Sequence, residues 1–102
     1  MKFGLTEIEI KKIQQVFRLN LNVDKAILYG SRAKGNFKPT SDIDFTLIGL
    51  NLNLTTLNKI ENELDDLLLP YKIDVSIHHH ISNIELLQHI DRVGIPFYQK
   101  QL

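Results

Sequence analysis

The chain has no cysteine and no tryptophan, and it carries no net charge at pH 7. The absence of cysteine excludes disulfides and thiolate metal sites, and it suits a reducing compartment. The balance of 12 Lys and Arg against 12 Asp and Glu argues against a general nucleic-acid binder, which needs a basic surface. No apolar run approaches the roughly 20 residues that a membrane-spanning helix requires. We therefore expect a cytoplasmic protein that neither spans a membrane nor binds nucleic acid generally.

The start of the chain is unlike a signal peptide, because the segment MKFGLTEIEIKK becomes acidic before any apolar run develops. A length of 102 residues suits one domain, and 43% hydrophobic residues is ordinary for a folded protein. The prediction is a single domain over residues 1–102 with a modest core.

Helical periodicity, strand alternation and capping signals predict six main elements. They are, in chain order, a helix over about 6–19, strands over 25–29 and 42–48, a helix over 53–68, a strand over 72–77 and a helix from Ser82 to near Gly94. Capping boxes mark the first helix at Thr6 and the last at Ser82. One helical turn could follow Gly30, and residues 96–98 could add a short edge strand.

The order α-β-β-α-β-α predicts an α/β (α+β) fold, a mixed β-sheet flanked by helices. The second and third strands are joined by a crossover helix, which favours a parallel pair. The first two strands are separated by a loop rich in Gly, Ser, Asn, Pro and Thr over residues 30–41.

Acidic side chains occupy alternate positions at the start of the second strand. Asp42 and Asp44 should project to one side, because residues i and i+2 of a strand share a face. Two neighbouring carboxylates repel each other, and a divalent cation such as Mg²⁺ relieves that repulsion. Asp74 lies on the third strand, so three carboxylates could meet if that strand pairs with the second.

The loop before these carboxylates has features that suit a polyanion. Gly30 lets the backbone approach a ligand closely, and Ser31 adds a hydroxyl donor. Three cations follow within the loop: Arg32, Lys34 and Lys38. A phosphate-binding loop beside a metal-binding carboxylate cluster is what nucleotidyl transfer requires.

These motifs together resemble the signature of the DNA polymerase β-type nucleotidyltransferase superfamily: Gly30-Ser31, Arg32-Ala33-x-Gly35 and Ser41-Asp42-x-Asp44. The short chain is similar to the minimal nucleotidyltransferases (MNT) in particular. The resemblance implies a nucleotidyltransferase fold over nearly the whole chain. It also implies that two Mg²⁺ ions, or Mn²⁺, assist the reaction.

The resemblance assigns roles to six residues of this sequence. Gly30, Ser31 and Arg32 correspond to the nucleotide site. Asp42, Asp44 and Asp74 correspond to the catalytic carboxylates and metal ligands.

The activity implied by the resemblance is transfer of a nucleoside monophosphate, AMP from ATP, to a hydroxyl acceptor. MNT proteins typically pair with a small helical HEPN-family toxin, and the antitoxin modifies a Tyr of that toxin. Only about 25 residues follow the third strand, so we expect a second polypeptide to supply the acceptor, in a complex with this chain. No residue identifies the base, and another NTP could serve.

Two other functions are consistent with the sequence. The chain could be a binding module of the same fold, holding a partner or a nucleotide without chemistry. It could also be a free-standing enzyme that modifies a small hydroxyl compound, as aminoglycoside nucleotidyltransferases do, although those enzymes carry an additional substrate domain.

The histidines suggest simpler roles. Residues 78–80 are consecutive histidines, which alternate faces in an extended segment and are better interpreted as a polar strand end than as a metal site. His89 is interpreted as a partly buried, hydrogen-bonded residue of the last helix.

Overall fold

Helices and strands alternate along the chain in the computed structural model, which describes residues 1–101. The elements of these residues are α1 (Glu7–Leu19), β1 (Lys25–Tyr29), α2 (Ser31–Lys34), β2 (Ile43–Ile48), α3 (Leu54–Asp65), β3 (Ile73–Ile77), a 3₁₀ turn (His78–His80), α4 (Ile84–Val93) and β4 (Ile95–Gln99). The predicted helical turn after Gly30 is α2, and the predicted edge strand is β4.

The sheet is mixed, as predicted, with strand order β3-β2-β1-β4. The central strand β1 pairs antiparallel with both β2 and β4, whereas β2 pairs parallel with β3. The parallel pair confirms the crossover expected through α3. It also sets the starting residues of β2 and β3 side by side.

The first helix begins with the predicted capping box. The Thr6 hydroxyl accepts the Glu9 N–H at 3.1 Å, and the Glu9 carboxylate accepts the Thr6 N–H at 2.9 Å. These bonds satisfy two donors that would otherwise be unpaired at the helix start. The helix then buries Ile13, Val16 and Phe17 on one side.

Three predicted boundaries need correction. The second strand begins at Ile43, so Asp42 lies just before it. The third helix ends at Asp65 rather than 68, and Leu68 takes a left-handed φ of 54°.

The last helix is capped by Asn83, whose side chain accepts the Leu86 N–H at 3.1 Å, so the capping box predicted at Ser82 is wrong. Ser and Asn cap about equally well, so the identity of the two residues does not distinguish between them.

The core lies on one face of the sheet. Ile43, Phe45 and Leu47 of β2 are fully buried there. The ring of Phe17 from α1 meets the Phe45 ring edge-on, with centroids 5.2 Å apart. Alternation turns Asp44 to the opposite face, where α4 packs beside β1.

Among residues 1–101 there is no helix with the length and apolar character to cross a bilayer.

Candidate active site

Two predicted carboxylates face each other across the parallel strands. Asp44 of β2 is the register partner of Asp74 of β3, and Asp42 immediately precedes β2. Burial raises the pKa of the Asp44 carboxyl above its ordinary value, and the negative charges of Asp74 and Asp42 raise it further. A nearby cation would relieve this repulsion and stabilise the charged form of Asp44.

The three carboxylates do not form a closed metal-binding cluster. Over residues 1–101, no group of three or more His, Asp or Glu side chains is arranged to hold a metal ion. Asp42 is exposed, and Asp74 lies 3.9 Å from the ammonium of Lys72. Mg²⁺ commonly uses only one or two carboxylates when substrate phosphates complete its coordination. The oxygen donors of Asp42 and Asp44 fit that kind of site.

Gly30, at the start of the loop, lies against the Asp44 carboxylate. It lies between β1 and α2 with a φ of 73°, a left-handed conformation that side chains disfavour. A Cβ on this residue would collide with Oδ2 of Asp44. The positive φ favours glycine, and the missing Cβ leaves room for the Asp44 carboxylate beside the Gly30 backbone.

Arg32 differs from its predicted place. Its side chain is only 1% exposed, and it donates to the carbonyls of Phe3 at 2.7 Å, Pro39 at 3.2 Å and Ser41 at 2.9 Å. The guanidinium also lies over the Tyr71 ring, 4.9 Å from its centroid. These partners satisfy a buried cation without a carboxylate. Arg32 thus holds the loop in shape, whereas the sequence predicted contact with a nucleotide.

Ser31 is the first residue of α2 and is partly buried, next to the Gly30 turn. The other two predicted loop cations, Lys34 and Lys38, are exposed. Both are free to approach a bound anion.

His89 and Tyr29 also lie beside the site, although the sequence predicted no role there for either residue. The Gly30 N–H donates to Nε2 of His89 at 3.1 Å, across 59 positions of sequence. The Tyr29 ring meets the His89 ring edge-on, with centroids 6.1 Å apart. Tyr29 is also the register partner of Asp44, so strand alternation could have indicated its place. For His89 no local pattern exists, because its contact depends on how α4 returns to β1.

The Tyr29 hydroxyl shares the environment of the carboxylates. Burial raises its pKa, and the charges of Asp44 and Asp74 raise it further. The Ser76 hydroxyl donates to the hydroxyl oxygen of Thr46 at 3.0 Å. A band of polar groups therefore continues from the carboxylates along the face of the sheet opposite the core.

The histidine run lies at the end of β3, as predicted for a polar strand end, but it forms a 3₁₀ turn. No metal-binding cluster of residues 1–101 includes these three side chains.

A mixed sheet with paired strand carboxylates under a glycine-serine turn defines a nucleotidyltransferase-type domain. Residues 11–101 match the family model "Polymerase beta, Nucleotidyltransferase". The chain belongs to this family. No curated protein matched the chain in a similarity search.

Solved structures of toxin–antitoxin complexes share the fold. One, a toxin–antitoxin with AMP-PNP, matches with a TM-score of 0.73 and 21% identity over 90% of this chain and 74% of that chain. A tri-AMPylated Shewanella oneidensis HEPN toxin in complex with MNT antitoxin matches with a TM-score of 0.70 and 18% identity, over 95% and 75%. A MntA–HepT structure matches with a TM-score of 0.68 and 18% identity, over 94% and 74%.

Proposed function

We propose that this protein is a magnesium-dependent nucleotidyltransferase that moves AMP from ATP to a tyrosine hydroxyl of a HEPN-type partner toxin, and so acts as its antitoxin. The observation that carries the proposal is the pairing of Asp44 with Asp74 directly against the Gly30 turn. The chain's family is one of nucleotidyltransferases, which supports chemistry at these carboxylates.

The choice of partner rests on the structural neighbours. They include a HEPN toxin that is tri-AMPylated in complex with an MNT antitoxin, and a toxin–antitoxin bound to AMP-PNP. This chain spans about three quarters of those chains. The proposal transfers the adenylyl acceptor and the nucleotide from them to this chain.

The reaction needs a triphosphate site, a charge-neutralising centre and a proton acceptor. We assign Gly30 and Ser31 to the triphosphate, and Asp42 and Asp44 to Mg²⁺. Bound Mg²⁺ would stabilise the charge that develops on the transferring phosphorus. The acceptor oxygen forms a bond to the α-phosphorus, the bond to pyrophosphate breaks, and Asp74 takes the hydroxyl proton.

The test is the intact mass of a HEPN-family protein co-expressed with this chain. We expect one or more added adenylate masses with the wild type, and none with the Asp42→Asn, Asp44→Asn double variant. The matched control is Asp65→Asn, Asp66→Asn, because both of these residues are exposed at the end of α3. Unmodified partner with every form of the chain would refute the proposed chemistry.

A non-catalytic binding module of the same fold is the alternative. It predicts a tight complex without mass change. Neutralisation of the partner would then survive loss of Asp42 and Asp44.

A further inference from the structure

We propose that His89 is a positioning residue for the nucleotide site, holding the Gly30 turn in the shape that places it against Asp44. The inference rests on the proposed function, because it assigns His89 to the same nucleotide-binding turn. His89 is not required to contact the nucleotide or the transferred group.

The first support is the hydrogen bond itself. The Gly30 N–H donates to His89 Nε2 at 3.1 Å, which requires that this nitrogen carry no proton. Glycine is the most conformationally free residue, and the Gly30 N-cap has no side chain to bond the start of α2. A contact from a distant helix therefore supplies a restraint that the loop lacks.

The second support is the close packing of the helix that carries His89. Helix α4 is followed directly by β4, which pairs with β1. At the junction, a Cβ on Gly94 would lie 2.8 Å from Cγ2 of Ile27, so the helix end is packed closely on β1. Gly30 directly follows β1 along the chain, and His89 lies on a helix that packs on β1. Both residues are therefore held by the same central strand.

The third support is the close approach of Gly30 to Asp44. Since even a Cβ on Gly30 would collide with the carboxylate, a small movement of the turn changes the space around Asp44. The Tyr29 ring, whose centroid lies 6.1 Å from that of His89, limits the positions open to the imidazole. Loss of the imidazole acceptor should therefore loosen nucleotide binding.

The experiment compares His89→Phe, which keeps a ring but removes the acceptor, with His89→Gln, whose amide oxygen can accept the Gly30 N–H. His79→Phe is the matched control, because His79 is exposed in the 3₁₀ turn. The measurements are the Kd of MgATP, kcat and KM for adenylyl transfer to the co-purified partner, and hydrogen exchange of the Gly30 amide in the nucleotide-free chain.

We expect His89→Phe to raise the Kd and KM for MgATP by about 5- to 10-fold, the effect of one lost hydrogen bond. The change in kcat should be smaller. His89→Gln should restore the affinity to within about 3-fold, and His79→Phe should behave as wild type. The Gly30 amide should exchange faster in His89→Phe than in the wild type.

Three results would overturn the inference. They are unchanged MgATP affinity in His89→Phe, equal weakening by Phe and Gln, and a Gly30 amide that is unprotected in the wild type. The last requires no variant, so misfolding of His89→Phe cannot protect the proposal. A wild-type chain that binds no ATP would refute the proposed function, and the His89 role with it, whereas normal binding by wild type and His89→Phe alike refutes only the inference.

Discussion

The two faces of the β-sheet are built from alternate residues of the same strands, yet their environments differ. On one face Phe45 is fully buried among aromatic rings. On the other, its neighbour Asp44 is partly exposed and faces Asp74. Neighbouring residues of β2 can therefore be changed one at a time, and the contrast predicts that stability and chemistry will respond separately.

The largest effect on stability is expected from the core face. Phe45→Ala removes a ring whose centroid lies 5.2 Å from that of Phe17 and 4.8 Å from that of Phe97. Such a truncation should lower the free energy of unfolding by about 3–5 kcal/mol. Urea denaturation measures this loss, and MgATP affinity per folded molecule should stay at the wild-type value. Wild-type stability in the variant would contradict the assignment of Phe45 to the core.

On the opposite face, a substitution should reduce activity with little loss of stability. Under the proposed function, Asp44→Asn should reduce adenylyl transfer by about 10²-fold or more, the scale of losing one group that stabilises transition-state charge. The fold should survive, because the amide matches the carboxylate in shape. Transfer to the co-expressed partner and urea denaturation test both statements, with Asp65→Asn as the control. Undiminished transfer would remove Asp44 from the reaction.

The pH dependence of stability sharpens the same contrast. The pKa of Asp44 is raised in the folded chain, so the folded state binds its proton more tightly than the unfolded state. Its contribution to stability is therefore fully present below the ordinary value of 3.8, and it is lost as pH rises through the raised pKa. In metal-free buffer, the free energy of unfolding of the wild type should therefore fall, relative to that of Asp44→Asn, as the pH rises from 3.8 through the raised pKa of Asp44. An unchanged difference in unfolding free energy across the window would contradict the raised pKa.

The sequence predicted what depends on local spacing. The capping box at Thr6 follows from local spacing, and strand alternation predicted that Asp42 and Asp44 share a face. The approach of Asp74 to Asp44 was conditional on the pairing of the two strands, which the parallel β2–β3 pair provides. Arg32 could not be placed in this way, because an arginine in a glycine-rich loop suggests phosphate binding. Only the folded chain brings the carbonyls of residues 3, 39 and 41 around it. The same reasoning explains why His89 was not assigned to the site.

A change at Arg32 is expected to affect both stability and nucleotide binding. Arg32 supports the loop, and neither Asp44 nor Asp74 is among its hydrogen-bond partners. Arg32→Lys keeps the charge but removes the forked donors, leaving carbonyls of the loop unpaired. We expect a loss of about 2 kcal/mol in unfolding free energy, because each buried unpaired polar group costs about 1–3 kcal/mol. A weaker MgATP affinity should accompany it. Wild-type stability in Arg32→Lys would show that water or the ammonium replaces these bonds.

The smallest effect is expected at the start of α1. Thr6→Ala removes the hydroxyl that accepts the Glu9 N–H. The Glu9 carboxylate can still accept the backbone N–H of residue 6. The expected loss is about 1 kcal/mol of unfolding free energy, the usual contribution of an N-cap. Because α1 packs on the core face, transfer activity and MgATP affinity should remain unchanged. Thr6→Ser is the matched control, since it restores the hydroxyl and should recover most of the stability. A change in MgATP affinity in Thr6→Ala would mean that the core face and the carboxylate face are coupled, and that the two cannot be separated by substitution.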